Sequence, residues 1–330
     1  MPVMEYEICL EPSGIRFMAD EHQNIVEAAK QHGISIKHGC ASGSCGDCKG
    51  TILSGASEQG PFMPLLLLPT ERAAGMAILC KLYPRSDLRL HAEVVRKDTW
   101  KTEITQLTPL AWNVLELRLR PERPYPYRTG QYARIAIPGR PDQWRSYSMA
   151  TPPGTTGELV FHIRELPGGI FSQWLFHTAQ RGDALILGAA QGEFALSPDN
   201  DRDMLCIAAG TGLAPIEAMI QESIALGRTR PIHLFYGARK RADFYHLEEL
   251  TRWSQQYPHI TITSTLSDRQ DASWTGAHRL LPTVAASGHW KDHEVYLCGS
   301  PGMIEAAIDL LLSHDVRHDH IHFDAFAPNG

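Results

Sequence analysis

Three patterns of apolar and polar positions follow one another along the chain, and each predicts a different kind of structure. Glu5–Glu11 alternates loosely, Ile15–Met18 follows a Pro-Ser-Gly turn, and together they predict a β-hairpin. Ile25, Val26, Ala28 and Ala29 then fall at helical spacing within Asn24–Gln31, and Gly33 marks the stop. A Gly/Ser/Cys-rich loop, His38–Gly50, comes next. From about Arg96 to Asn200 the pattern changes to short β-like runs: Val114–Leu119, Tyr132–Ile137, Ser146–Ala150, Leu159–Ile163 and Ala184–Leu187. Turn residues separate these runs, a single helix is expected near Phe171–Ala179, and the whole predicts a small antiparallel barrel. From about Asp201 onward, nearly unbroken apolar runs (Met204–Ala209, Ile232–Tyr236, Ile260–Ser264, Val295–Cys298) alternate with helix-like stretches (Pro215–Leu226, Leu247–Tyr257, Met303–His314). Buried strands alternating with helices predict a parallel α/β sheet. The expected organisation is three domains, 1–95, 96–200 and 201–330, with a polar linker around Arg96–Lys101.

Composition narrows the classes of function. The net charge is −6 over 330 residues, and residues 1–95 hold eight Lys/Arg against eleven Asp/Glu. Nucleic acid is therefore not an expected partner, since phosphate binding needs clustered cations. The most apolar stretch, Pro61–Pro69, is interrupted by Pro64 and is far shorter than the ~20 residues a membrane span needs. The N-terminus has no basic start followed by an apolar run, so a cytoplasmic protein is expected, with its seven cysteines reduced.

The cysteines carry the most specific chemistry. Cys40, Cys45, Cys48 and Cys80 stand as C-x4-C-x2-C-x31-C, the plant-type [2Fe–2S] spacing. Two sulfide-bridged irons take four thiolates, and three must converge from one tight loop. Gly43 and Gly46 supply the backbone freedom for that turn. Zinc is the competing reading, but zinc sites usually pair two C-x2–4-C knuckles, and Cys80 has no such neighbour. Cys9 and Cys206 sit in apolar runs and are expected in the core.

Further on, Arg145, Ser146, Tyr147 and Ser148 combine a phosphate binder, hydroxyls and a ring able to stack on a flat cofactor. Phe161-His162-Ile163-Arg164 and Pro167-Gly168-Gly169-Ile170-Phe171-Ser172 follow, the latter opening a helix whose N-terminus would face a pyrophosphate. R-S-Y-S alone is more often a strand with surface hydroxyls, and Gly-Gly before a helix is usually only a turn. Gly210-Thr211-Gly212-Leu213-Ala214-Pro215 joins a strand to a helix and would let a nucleotide phosphate approach. Pro215 replaces the third glycine of the common dinucleotide fingerprint. Tyr296-Leu-Cys298-Gly299-Ser-Pro301 is a second strand–turn–helix junction. Arg239 would stack on adenine or meet a 2′-phosphate, while Lys240 and Arg241 either join it or form a solvated loop.

In this order, the cysteine set, R-S-Y-S, G-G-x-F-S, G-T-G-L-A-P and Y-L-C-G-S-P resemble the reductase components of bacterial oxygenases, such as those of naphthalene and benzoate dioxygenases and of phenol hydroxylase. The resemblance covers essentially the whole chain. It implies a multidomain α+β fold: a ferredoxin-like [2Fe–2S] β-grasp domain, an antiparallel FAD-binding β-barrel and an α/β parallel-sheet NAD-binding domain. It assigns the cluster to Cys40, Cys45, Cys48 and Cys80, and the flavin to Arg145, Tyr147 and Ser148. His162 and Arg164 would meet the distal part of the FAD, with Gly169, Phe171 and Ser172 near its pyrophosphate. Gly210–Pro215 and Cys298–Pro301 would hold NADH, or NADPH, with Cys298 beside the hydride path and Phe326 near the flavin ring. Ser148 would bond flavin N5 and Tyr147 would hold the ring plane. A hydride would pass to the flavin and single electrons to the cluster, then to an oxygenase component or a separate ferredoxin, from a monomer, in a system expected to hydroxylate aromatic rings.

Three departures stand out. No Arg follows Cys40, and Trp274-Thr-Gly-Ala-His-Arg279 has Arg279 where a W-x-G-x-x-G stretch ends in glycine. His314, His318, His320 and His322 crowd the C-terminal stretch; His318, His320 and His322 are expected on one strand face, solvated or locally bonded rather than holding a metal. Two rival functions remain: the reductase of CDP-deoxyhexose biosynthesis, which would serve a sugar dehydratase, and a non-redox zinc and nucleotide-binding module.

Overall fold

The computed structural model describes residues 4–95, 98–155, 157–196, 200–268, 271 and 273–326. Two compact units emerge, one ending at Asp98 and the other running from Thr99 to Phe326. Of the linker expected at Arg96–Lys101, Arg96 and Lys97 lie outside the described residues, and a strand is already under way at Thr99.

The first unit contains β1 (Glu5–Glu11), β2 (Ile15–Asp20), β3 (Lys49–Ser54), β4 (Ser57–Gln59), β5 (Met76–Ile78), β6 (Leu82–Pro84) and β7 (Leu88–His91). Its main sheet has the order β2-β1-β7-β3-β5, with β1 and β7 parallel and the other pairs antiparallel. Helix α1 (Ile25–Gln31) starts at Asn24, whose side chain accepts from the Glu27 N–H at 3.0 Å and so satisfies one of the helix's orphan donors. Its buried face is Ile25, Val26, Ala28 and Ala29, the residues that the sequence spacing picks out. Burying Ile25 alone contributes roughly 2–3 kcal/mol. The apolar stretch between Pro61 and Pro69 turns inward: Met63, Leu66 and Leu67 are buried, with a short 3-10 turn at Pro64–Leu66 and helix α2 (Pro69–Ala73) beyond it. Among the described residues no helix is long and apolar enough to cross a membrane.

The second unit begins with a six-stranded antiparallel sheet of β8 (Thr99–Ala111), β9 (Val114–Pro121), β10 (Tyr132–Ile137), β11 (Arg140–Ser148), β12 (Leu159–Arg164) and β13 (Ala184–Gly188), in the order β11-β10-β13-β8-β9-β12. A bridge from Met149 to Phe161 and the 2.8 Å bond from Ala150 N–H to Val160 O close the sheet into a barrel. Helix α3 (Ile170–His177) follows β12. Alternation along β12 divides its side chains: Leu159, Phe161 and Ile163 enter the barrel core, while Val160 packs on Ala214 of the next lobe.

That lobe is a wholly parallel sheet of β14 (Met204–Ala209), β15 (Ile232–Ala238), β16 (Ile260–Leu266), β17 (Ala277–His278), β18 (Glu294–Gly299) and β19 (Ile321–Ala325), in the order β17-β16-β15-β14-β18-β19. Helices α4 (Leu213–Ala225), α5 (Leu247–Gln256), α6 (Leu280–Ser287) and α7 (Pro301–Ser313) connect the strands. Strand order reverses between β14 and β18, so the crevice for a ligand opens beyond their carboxyl ends. The expected multidomain α+β architecture is present.

Two local findings correct or explain the sequence reading. The C-terminal histidines do not share a strand face. His318–His320 is a 3-10 turn, His320 is buried, and only His322 lies on β19, where it bonds Glu294 and stacks on Tyr296 at 5.1 Å. Arg279 has φ +65° and ψ 104°, a region that suits glycine and strains other residues, which explains why a glycine is the natural occupant there. The Arg279 side chain is exposed, so Arg279→Gly relieves backbone strain without removing packing. It should stabilise the second unit by about 1 kcal/mol and raise its melting temperature by roughly 2–4 °C, measured by calorimetry.

Candidate cofactor-binding sites

In the first unit, β3 and β5 bring the cysteines together. Lys49 pairs with Ile78, so Cys48 runs alongside Leu79-Cys80, and the Leu79 N–H donates to the Cys48 carbonyl at 3.0 Å. Thus an ordinary strand pairing delivers the fourth, distant cysteine. Cys40 and Cys45 close the other side, with the Cys40 N–H pointing at the Cys45 sulfur at 3.3 Å. The N–H groups of Ser42 and Ser44 point at the Cys40 sulfur, each at 3.3 Å. Gly43 (φ +80°) and Gly46 (φ +82°) make the turn, and at Gly43 an added Cβ would stand 2.9 Å from Phe62 Cβ.

The four thiols interact as two pairs. Cys40 is held down to about 3, first by the hydrogen bond from the Cys45 thiol and then, against burial, by Ser42 and Ser44. Cys48 is lowered by the Cys80 thiol, and Cys45 and Cys80 are raised in turn. A convergent set of sulfurs, supplied with backbone N–H donors, fits an iron–sulfur cluster in both ligand chemistry and surroundings.

In the second unit, β10 and β11 set the R-S-Y-S residues. Tyr147 stands opposite Ala133 and Ser148 opposite Tyr132. The Tyr147 ring lies 5.5 Å from Phe171, which lies 5.9 Å from Trp174, so a row of aromatic rings rises from the barrel core to the half-buried Tyr147. Burial raises the Tyr147 hydroxyl pKa. Ser148 Oγ donates to Asp324 Oδ2 at 3.1 Å, which ties the barrel to the end of β19. Phe326 lies two residues further on, its N–H bonded to Gly299 O at 2.8 Å. Arg145 donates to the Trp144 carbonyl at 3.0 Å, and Ser146 stands opposite Arg134. The aromatic platform fits a flat ring. Tyr147→Ala should weaken flavin binding roughly tenfold or more, since ring contacts are worth about 0.5–1.5 kcal/mol beyond area burial. Flavin absorbance retained through gel filtration checks this; full flavin content with full turnover contradicts it.

Not every expected residue reaches an exposed cofactor surface. Phe171 is core, 1% exposed, beneath Tyr147. The Ser172 hydroxyl is engaged within its own turn, accepting from the Leu166 N–H at 3.1 Å and donating to the Gly169 carbonyl at 3.2 Å. Gly168 (φ +74°) forms the turn ahead of α3. The His162 ring faces away, enclosed among Tyr245, His246 and Glu217. Arg164 reaches across instead: its guanidinium would stand 2.2 Å from a Cβ on Gly210, and its buried Nε has no partner. An orphaned cationic donor at a glycine turn is the feature a phosphate would satisfy.

The two strand–turn–helix junctions meet at the crevice. Gly210–Gly212 forms a 3-10 turn into α4, and an added Cβ on Gly212 would stand 2.3 Å from the Cys298 carbonyl oxygen. Thr211 lies in that turn, and Pro215 sits in the first turn of α4, where a missing N–H costs nothing. At Gly299 an added Cβ would stand 2.4 Å from Met303 Cε, the movable end of a side chain, and Pro301 starts α7. Cys298 is fully buried, and burial raises its thiol pKa well above the ordinary value, with Asp324 adding to it. A buried, protonated thiol of this kind lacks the thiolate character of a reactive cysteine.

Beyond β15, Lys240, Arg241, Ala242, Asp268 and Asp271 line a groove of about 600 Å³. The backbone of Arg239 accepts from the Asp268 N–H at 2.9 Å. Asp243, which closes the Lys240–Arg241 stretch, accepts from the Lys240 N–H at 3.0 Å and from Trp112 Nε1 at 2.8 Å. Asp268, Asp271 and Asp324 are the site residues that sequence reasoning missed. Asp324 lies two residues before Phe326.

Fold and site together define a flavin- and cluster-dependent oxidoreductase. The comparisons agree. A family model for a 2Fe-2S iron-sulfur cluster binding domain matches residues 8–85, one for an oxidoreductase FAD-binding domain matches 101–196, and one for an oxidoreductase NAD-binding domain matches 206–309. The chain is 31% identical to the reductase component of propane 2-monooxygenase from Mycolicibacterium goodii, over 97% of each chain. It is 30% identical to the reductase component of phenol 2-monooxygenase from Pseudomonas sp. strain CF600, over 94% of this chain and 91% of the relative. It is also 30% identical to the CDP-6-deoxy-L-threo-D-glycero-4-hexulose-3-dehydrase reductase of Yersinia pestis, over 99% and 100%. Among solved structures, a cytochrome P450 reductase from Amycolatopsis superposes with a TM-score of 0.74 at 27% identity, covering 98% of this chain and all of that one. The chain belongs to the ferredoxin–FAD–NAD reductases, the family of these oxygenase reductase components. It is an NAD(P)H-dependent flavin iron–sulfur oxidoreductase with a [2Fe–2S] cluster and FAD as its cofactors.

Proposed function

We propose that this chain is the NADH-oxidising reductase of a multicomponent oxygenase, one that hydroxylates aromatic or other small hydrocarbon substrates. The observation that carries the reading is the presence of all three modules on one chain, in an order that spans 97% of a monooxygenase reductase relative. Flavin, when bound, links a two-electron donor to a one-electron acceptor.

The chain's own residues do the rest. Cys40, Cys45, Cys48 and Cys80 would hold the cluster, with the Ser42 and Ser44 N–H groups on the sulfur side of Cys40. Tyr147 would support the flavin ring and Arg164 a phosphate, while Gly210, Gly212 and Gly299 let the nucleotide approach the backbone. Ser148 Oγ is oriented by donating to Asp324, so its lone pairs are left to accept a hydrogen bond from a ring N–H. Asp268 and Asp271 beside Lys240 and Arg241 suit ribose hydroxyls better than a 2′-phosphate, which supports NADH. None of the seven cysteines is in a disulfide, in keeping with a cytoplasmic site of action, and we take the working form as a monomer.

The Yersinia pestis relative gives specific support to a second reading, a reductase serving a sugar dehydrase. Reconstitution separates the two. The purified protein with NADH should support hydroxylation by an oxygenase component or its ferredoxin and give no turnover of a CDP-hexulose dehydrase; the reverse pattern establishes the second reading.

A further inference from the structure

A cluster that neither the flavin nor the nucleotide explains lies where the outer face of β12 meets α4 and the start of α5. Glu116 comes from β9, His162 from β12 and His246 from the residue before α5. Each offers one ligand atom, and the three atoms lie within 4.8 Å of one another. Glu217 of α4 completes the surroundings. Its two oxygens are each 3.0 Å from His246 Nδ1, so the carboxylate accepts the Nδ1–H hydrogen bond and leaves Nε2 of that ring as a lone-pair donor.

His162 gives the independent sign of a missing ligand. Its side chain is 2% exposed, its Nδ1 is buried with no hydrogen-bond partner, and the nearest carboxylate oxygen, on Glu217, stands 4.0 Å away. The ring meets Tyr245 and His246 edge-on at 5.2 and 5.1 Å, contacts that leave a nitrogen without a partner. Two carboxylates, Glu116 and Glu217, stand beside the two imidazoles against one guanidinium, Arg118, which donates to Glu116 Oε1 at 2.7 Å, so one carboxylate's charge is left to meet a cation. Two imidazoles and a carboxylate are a ligand set for zinc or a neighbouring divalent transition metal. Ligation at about 2.0–2.1 Å needs these side chains to close in by roughly an ångström.

We propose that Glu116, His162 and His246 bind a divalent transition metal, zinc by ligand type, with Glu217 orienting His246. The metal would clip the barrel to the nucleotide lobe inside the second unit. The test uses the flavin- and cluster-loaded protein, washed with a mild chelator, given zinc and passed through gel filtration, with zinc, iron and flavin measured per chain. Calorimetric titration with zinc gives the affinity. The expected result is one zinc per chain, lost in His246→Asn, a replacement suited to the left-handed backbone at this position (φ +55°), with iron and flavin unchanged. Glu217→Gln should weaken binding about 10–100-fold while keeping the stoichiometry. Should His246→Asn fail to fold, Glu116→Gln reads the same loss. Absence of zinc binding by the unmodified protein overturns the proposal, and so does zinc retained undiminished in these variants, which would place it on other cysteines or histidines.

Discussion

Replacing Cys48 with serine should yield a protein that still oxidises NADH with a small-molecule oxidant but no longer reduces a protein acceptor. Cys48 is 2% exposed, its sulfur is paired with that of Cys80, and its backbone is locked to Leu79 across β3 and β5. A hydroxyl there is a poor ligand for a soft thiolate-preferring cluster. Iron should fall from two per chain towards none, and transfer to a partner should be lost. The flavin is held in a separate compact unit, Thr99–Phe326, so flavin content and small-oxidant activity should persist. Iron analysis, the visible spectrum and the two activities measured side by side decide it. Unchanged iron with full partner reduction removes Cys48 from the ligand set.

The second large effect is expected at Gly212. An alanine Cβ there would stand 2.3 Å from the Cys298 carbonyl oxygen and 2.6 Å from its carbon, both backbone atoms that cannot swing away. The only relief is to part the two junctions that form the crevice. Gly212→Ala should therefore destabilise the second unit by about 1–3 kcal/mol, lowering its melting temperature by roughly 2–12 °C. It should also raise KM for NADH at least tenfold, since a shift of about 1.4 kcal/mol in binding is a factor of ten. The same substitution at Gly168, where no atom lies within 4 Å of the added Cβ, should leave KM for NADH unchanged and lose only the ease of a positive φ. Equal KM values for Gly212→Ala and the unmodified protein contradict this account of the crevice.

Much of the fold could be read from apolar periodicity where elements are long and one face is buried. Helix α1 is one residue shorter than its predicted span because Asn24 caps it, and β14 coincides with its apolar run. Elements were missed where that signal is short or mixed. Strands β4 to β6 have three residues each, too few for a period to show, and α6 carries Pro282 in its first turn. Strand β8 has 13 residues, but Pro109 and threonines on both faces, Thr99 exposed and Thr102 buried, hide its alternation. Strand β19 is disguised by histidines, one of which, His322, is held by a buried Glu294 from a neighbouring strand.

The candidate sites follow the same logic. The cysteine ligands are legible because their chemistry fixes a spacing along the chain. The glycines at the crevice are legible as punctuation between strand and helix. Asp324, Glu116 and Glu217 are not, because each acquires its meaning from a partner on a distant element: Ser148, His162 and His246. His162 takes its surroundings from the strand that carries it. It lies between Phe161 and Ile163 on β12, and strand alternation turns it away from the core they share.

The most direct measurement is an anaerobic titration of the purified protein with NADH, and separately with NADPH, while the visible spectrum is recorded. Bleaching of both flavin and iron–sulfur absorbance at low NADH, with NADPH much less effective, is the predicted result. A flavin that bleaches while the cluster absorbance never changes, or a protein without either chromophore, contradicts the transfer of electrons from nicotinamide to cluster on this chain.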